Sequence, residues 1–320
     1  MKLKKRAVRT LRRVVGDDSA VETTLRKLRN RAQFRTSGLS KQTTYVVFRG
    51  DETRIGVYGF GGCDTWAIAE SGPWLRRTTT ATGAAWAAGR AQYTRSDLML
   101  QAIDGVDLNA VAEVSERLQL ERPTFQPVLL EPRFTVPGHE HLGSFPKDVV
   151  VLTISSDLSR ILYRHKEHGF LVDPGGFWLS ADIKDALGDL DTVKWFAKHF
   201  EKTGRTTVDQ TMSNMERLVT LIRQRLGAEV VFFNCLTVDP GRQVFDYKLS
   251  HSPHRTRRRE FGLALVELSR KMDFSIVDAD RILKGVGVSG LGDFVKYMPE
   301  HKKAIAAEFV RVLREREVFG

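Results

Sequence analysis

The clearest hydrophobic pattern in the chain is an unbroken apolar run. Residues 148–155, DVVVLTIS, lack the alternation of a half-exposed strand and read as a central parallel strand buried on both faces. Residues 228–236, AEVVFFNCL, read as a second buried strand, and residues 274–278, FSIVD, as a last one. Residues 54–60, RIGVYGF, suit a strand as well, and the β-branched run of residues 74–83 predicts another, ending at Gly83. Helical spacing lies between them. Residues 84–92 are Ala-rich, and residues 96–118 are amphipathic with a break near Gly105. Ser156 and Asp157 are N-cap residues that predict a helix opening after the central strand. A helix is predicted over roughly 180–200, and residues 207–226 bring Met212, Met215, Leu218, Val219, Ile222 and Leu226 onto one face. Two further helices are expected at 260–272 and 299–315, the second with Pro at its start. Strands alternating with helices predict an α/β layered sheet with right-handed crossovers. Residues 123–146 carry five prolines and read as extended, and residues 170–205 as an insertion over one edge of the sheet, a candidate lid.

The stretch 54–65, RIGVYGFGGCDT, changes this picture from fold to site. A strand ends there in Gly59, Gly61 and Gly62, followed by Cys63, Asp64 and what reads as a helix N-terminus. Such a junction places small residues and free backbone N–H groups at the edge of a sheet, where open α/β folds bind ligands.

Charge adds a second division. The net charge of +11 resides wholly in residues 1–49, which hold 14 Lys and Arg against 3 Asp and Glu. We therefore expect a basic helical extension over 1–49 and a neutral α/β domain over 50–320. Residues 2–15 place Leu3, Ala7, Leu11, Val14 and Val15 on one face of a basic helix, which suits an anionic membrane surface. No aromatic residues interleave with the charges, so specific nucleic-acid binding is not expected. No apolar run is long enough for a membrane span or a secretory signal, and the expected location is the cytoplasm, including its membrane periphery. Two cysteines, Cys63 and Cys235, exclude a disulfide scaffold. The closest histidine groups, His139/His141, His165/His168 and His251/His254, lack metal-ligand spacing. Neither a metal nor a cofactor is expected.

Across about residues 54–316 the chain resembles the SGNH/GDSL hydrolase superfamily. Gly61-Gly62-Cys63-Asp64-Thr65 is similar to the family's Gly-Asp-Ser-x-Thr block, which holds the nucleophile. The strand ending at Gly83 resembles its second block, VVVLTISSDL its third, which ends in Gly-x-Asn-Asp, and Asp293-Phe294-Val295-Lys296 its last, Asp-x-x-His. Cys63 stands where the family has Ser, Ser156 where it has Asn, and Lys296 where it has the catalytic His. The resemblance implies a three-layer α/β/α sandwich, flavodoxin-like, with a mainly parallel five-stranded sheet. It also implies Cys63, Lys296 and Asp293 as catalytic residues, and Gly62, Gly83, Ser156 and Asp157 as oxyanion or substrate-binding residues. The implied activity is that of an acyl-ester hydrolase or acyltransferase acting on a glycan or lipid ester. The alternative is a catalytically degenerate fold serving as a binding or scaffold protein. Acyl transfer needs a nucleophile, a base and oxyanion donors. A charged Lys296 beside Cys63 favours the thiolate but cannot take a proton from water. His251, His254 and His301 are substitute candidates for the base.

Overall fold

In the computed structural model the described residues are 45–49, 54–60, 64, 75–76, 95–104, 106–117, 147–172, 190–240, 253–291, 294 and 297–318. The chain divides into two units, Met1–Ser40 and Lys41–Gly320, and every described residue belongs to the second.

The main sheet contains β1 (Tyr45–Arg49), β2 (Arg54–Phe60), β3 (Leu75–Arg76), β4 (Lys147–Thr153), β8 (Glu229–Phe233) and β9 (Ser275–Val277), in the order β3-β1-β2-β4-β8-β9. β2, β4, β8 and β9 run parallel, with Ile55 opposite Lys147, Val149 opposite Glu229 and Val231 opposite Ser275. β1 is antiparallel to both β2 and β3, so β3 runs in the same direction as β2. The sheet therefore has six strands where the family resemblance implied five, because β1 inserts beside β2. β1 also falls within residues 1–49, the stretch expected to be a separate extension. Its Tyr-Val-Val-Phe run carries the β-propensity that the surrounding basic charge concealed.

Helices cover both faces of this sheet, and the period-2 geometry of the strands decides which residue meets which helix. Val150, Leu152, Val230 and Phe232 pack with Met215, Leu218, Val219 and Ile222 of α4 (Val208–Leu226) and with Phe261, Leu265 and Leu268 of α5 (Pro253–Met272). Val149, Val151, Val231 and Phe233 point the other way, toward Leu283 of α6 (Ala279–Val286) and Ile305, Phe309 and Leu313 of α7 (Pro299–Glu315). α4 starts at Thr207, whose side chain accepts the Gln210 N–H, and ends at Gly227 in the left-handed region with φ 61°. α5 begins at Pro253, earlier than the pattern suggested, because Pro opens a helix without losing a needed N–H. No helix among the described residues is long and apolar enough to cross a membrane.

The segment after β4 departs from expectation. Ser156 and Asp157 open no helix of their own. They form a turn, with Asp157 N–H donating to Ile154 O and Arg160 N–H to Ser156 O. The chain then enters a three-stranded antiparallel sheet, β6-β5-β7, made of β5 (Tyr163–His165), β6 (Leu171–Val172) and β7 (Phe200–Lys202), with α3 (Leu190–His199) before β7. Two more helices, α1 (Ser96–Asp104) and α2 (Leu108–Arg117), precede β4, with Val106 and Asp107 outside both.

This topology sets where the chain can be shortened. A protein starting at Lys41 keeps all six strands and is expected to unfold in one cooperative transition. One starting at residue 50 loses β1, which leaves an edge of β2 open and β3 without its partner, and is expected to aggregate. Size-exclusion chromatography and thermal unfolding of both forms check this; identical behaviour would refute the role given to β1.

Candidate functional site at the carboxyl edge of the sheet

Phe60 lies opposite Leu152, Thr153 opposite Phe233, and Phe233 opposite Val277. The four parallel strands thus end level with one another, and the segments that follow them leave from one edge. In a parallel sheet this is the edge where ligands bind. Of the expected site residues, Gly62, Cys63, Gly83, Asp293 and Lys296 lie outside the described residues, as does His251. Their neighbours Asp64 and Phe294 are described.

Asp64 is 1% exposed. Its charge acts on the thiol of Cys235, two residues beyond β8. Burial pushes the Cys235 thiol up to about 11, Asp280 and Asp64 add to the rise, and Arg258 opposes it. Cys235 therefore stays protonated at neutral pH and is no nucleophile. Its Sγ donates to the Arg258 carbonyl at 3.9 Å, while Arg258 Nη1 donates to Leu236 O at 3.1 Å. The Arg258 guanidinium stands 3.8 Å from the ring centroid of Phe294. Phe294 lies directly after Asp293 and two residues before Lys296.

Side-chain bonds fasten the backbone of this edge. Asn234 Nδ2 donates to Asp278 Oδ1 at 2.8 Å and Asn234 Oδ1 accepts the Asp280 N–H at 3.0 Å, which ties β8 to the start of α6. Asp280 accepts the Thr237 N–H at 2.7 Å and its hydroxyl at 2.9 Å, and Lys284 Nζ donates to Thr237 Oγ1 at 2.7 Å. Arg255 donates to Asp239 Oδ2 through Nε at 2.9 Å and Nη2 at 2.5 Å. The segment 234–239 is thus held to both α5 and α6, and a site built on it starts rigid.

The two described candidates from the third block separate. Ser156 is nine-tenths buried beyond the end of β4, and its Oγ makes no hydrogen bond among the described residues. Asp157 faces away into the fold. Its Oδ1 accepts from Ser96 Oγ at 2.5 Å and from Thr211 Oγ1 at 3.3 Å, and its Oδ2 accepts the Ser96 N–H at 3.1 Å. Ser96 is the first residue of α1, so Asp157 caps a helix after all, one that is remote in sequence. Asn214 Nδ2 completes the cluster by donating to Ser96 Oγ at 3.0 Å. Burial raises the Asp157 carboxyl from 3.8 to about 7; the Ser96 hydroxyl counters this, Asp97 adds to it, and the Ser96 N–H and Arg95 counter it further. This carboxyl is held inside the fold by its bonds to α1 and α4. His301 is similarly engaged: it is buried at the start of α7 and its Nε2 donates to Gly287 O at 2.6 Å.

The arginines of the 251–259 stretch are the residues that the sequence pattern did not single out. Arg257 donates to Leu158 O at 2.9 Å, Asp157 O at 3.1 Å and Thr206 O at 2.5 Å, pinning the turn after β4 to the start of α4. Their signal was the spacing: Arg255 and Arg258 lie three apart and share a helix face. Among the described residues no group of three His, Cys, Asp or Glu side chains is placed to hold a metal ion.

No family model matches the chain, and no curated protein matches it by sequence. Among solved structures it is similar to Axe2, an acetylxylan esterase from Geobacillus stearothermophilus, at 13% identity over 80% of this chain and 93% of that one, with a TM-score of 0.35. A variant described as an acetyl-xylooligosaccharide esterase gives 12% identity over the same shares and a TM-score of 0.37. A catalytic variant aligns over 52% of this chain and 58% of its own, with a TM-score of 0.30. At TM-scores below 0.5 this likeness carries no argument about substrate or mechanism.

Proposed function

We propose that the protein is an acyl-ester hydrolase or acyltransferase of SGNH-like fold, acting on a glycan or lipid ester, with Cys63 as nucleophile. The observation that supports the reading is one charge interaction and two contacts at the sheet edge. Asp64, next to Cys63, acts on Cys235; Cys235 touches Arg258; and Arg258 lies on Phe294, between Asp293 and Lys296. Neighbours of the nucleophile and of the Asp–Lys pair therefore arrive at one patch. In the same reading β3, β2, β4, β8 and β9 are the five parallel strands of a three-layer sandwich, and β1 is an addition.

In this reaction the Cys63 thiolate attacks the ester carbonyl carbon, the C–O bond breaks to leave a thioester, and the departing alkoxide takes a proton from solvent water. Water or a second alcohol then takes the acyl group from the thioester. Gly62, Gly83 and Ser156 supply donors for the oxyanion. Lys296, charged beside Asp293, favours the thiolate and gives no base for the water step, so acylation outpaces deacylation. A basic helix at residues 2–15 would hold the enzyme at an anionic membrane.

A p-nitrophenyl acetate assay is expected to show a burst followed by a slow phase. Mass spectrometry is expected to place the acetyl group on Cys63 and not on buried Cys235. Cys63→Ala removes the burst, and Lys296→His quickens the slow phase by giving Asp293 an imidazole to orient. If neither the ester nor iodoacetamide labels Cys63 in the folded protein, the site is catalytically inert and the chain is a binding or scaffold protein.

A further inference from the structure

We propose that the turn joining β5 to β6 is a proton-operated latch, closed while the His165 ring is neutral and opened by acid. The device is independent of any chemistry at the sheet edge. His165 is the last residue of β5 and is 5% exposed. Its main chain closes the hairpin: His165 N–H donates to Phe170 O at 2.8 Å, and His165 O accepts the Gly169 N–H at 2.9 Å. Gly169 has φ 73°, a conformation that a side chain would strain. The His165 side chain adds a third bond, because Nδ1 accepts the His168 N–H at 3.1 Å. An accepting Nδ1 carries no proton, so the closed turn requires the neutral ring with its proton on Nε2. Once both ring nitrogens carry protons, two N–H groups face each other and this bond is lost.

The surroundings confine the opening to the turn. The His165 ring stacks with Phe170 at 5.0 Å and with His168 at 4.8 Å, meets the Phe200 ring edge-on at 4.9 Å, and lies 5.9 Å from His199. Histidine changes charge between pH 5 and 8, and a charge on one of these three rings disfavours a charge on the next. The other charged groups of the turn, β5, β7 and α3 point elsewhere or outward. Arg164 Nη1 donates to Gly169 O at 3.0 Å, and Lys166 Nζ donates to Ala197 O at 3.0 Å and Lys198 O at 2.9 Å. Glu167, Asp191, Lys194, Lys198, Glu201 and Lys202 are exposed. β6 carries no charge, and Gln101 of α1 holds it by both main-chain groups of Leu171, at 2.6 Å and 2.9 Å. The Lys166 N–H is bonded to His199 O at 2.8 Å, which keeps the near side of the turn on α3. Residues 167–169 are left as the part that one proton can release.

Histidine-ring NMR of the full chain, with each imidazole assigned through its own Cβ protons, tests the closed state: at pH 7.5 the His165 Nδ1 must show the shift of an unprotonated nitrogen. Amide exchange tests the opening. The protection of the residue 168 N–H, taken relative to the unfolded rate at the same pH, is expected to fall about tenfold between pH 7.5 and pH 5, the weight of one hydrogen bond. Amides of β4 and β8 are expected to keep or raise theirs, since the buried Asp157 carboxyl makes the folded chain more stable as pH falls through 7. His165→Phe keeps an aromatic ring but cannot accept, and is expected to leave this amide weakly protected at both pH values. His168→Gln and His199→Gln keep the acceptor and are expected to retain the pH response. The proposal is overturned by a His165 Nδ1 already protonated at pH 7.5, by equal protection at the two pH values, or by a response that persists in His165→Phe or vanishes in either Gln variant. Should His165→Phe fail to fold, the two measurements on the unaltered protein decide alone.

Discussion

Between pH 4 and pH 7 the protein is expected to lose on the order of 4 kcal/mol of stability through Asp157, and Asp157→Asn to remove that slope. The carboxyl titrates near 3.8 in the unfolded chain and at about 7 in the folded one, chiefly because it is fully buried. In this window the folded state keeps a proton that the unfolded state has released, so unfolding is favoured as pH rises. The contribution is whole below pH 4, lost as pH passes through 7, and constant above. Ser96, Thr211, Asp97 and Arg95 are the groups that face or influence this carboxyl from α1 and α4, and Arg257 binds its main chain. Glu308 and Asp273, held low by bonds to Arg311 and Arg316, have the opposite sign and lose stability only as pH falls below the ordinary carboxylate range. In the Asp157→Asn variant the amide oxygen would still accept the Ser96 N–H and hydroxyl. Urea unfolding at pH 4.5, 6 and 7.5 measures the effect, and equal slopes for the two proteins would refute it.

Phe232→Ala is expected to cost about 3–5 kcal/mol, the range for emptying a buried aromatic site. Phe232 is fully buried on β8, between β4 and β9, and its ring lies 4.4 Å from that of Phe274. β8 is held on both sides by β4 and β9, so collapse around the void is limited. The melting temperature should fall by about 10 °C for a domain of this size. Phe232→Leu, which refills most of the space, should cost less than half as much. A fall of only 1 or 2 °C for the Ala variant would mean that this core is far looser than described.

The parallel core was readable because its physics is local. Residues 148–155 and 228–236 are too apolar to be anything but buried strands, and Thr207, Gly227 and Pro299 mark helix ends through their own side chains or φ preferences. What escaped depended on partners far along the chain. Asp157 has the chemistry of an N-cap, but the helix it caps begins 61 residues earlier, at Ser96. β1 lies inside a stretch whose charge dominates its composition. β5, β6 and β7 are each too short to leave a pattern, and exist because they pair with one another. The run HRTRRR carried no assigned role in the sequence, yet Arg255, Arg257 and Arg258 all bind other segments of the fold. Of the site, the carboxyl edge was legible from the Gly-rich stretch after β2, whereas Arg258 was not, because its meaning comes from Phe294 and Leu236.

The position of β2 has a consequence for how the protein is made. Its first neighbour, β1, is synthesised just before it, so that hairpin can form as soon as Phe60 has emerged. Its second neighbour, β4, pairs Lys147 with Ile55 and cannot arrive until translation has passed the long intervening stretch. Until then the apolar edge of β2 that carries the candidate active-site turn has no strand beside it, a template for the same edge on another nascent chain. Fragments ending before Thr153 should therefore be held by chaperones or accumulate as aggregates. Slowing synthesis within that stretch should lower the yield of soluble protein more than slowing it after Val277, when the sheet is complete.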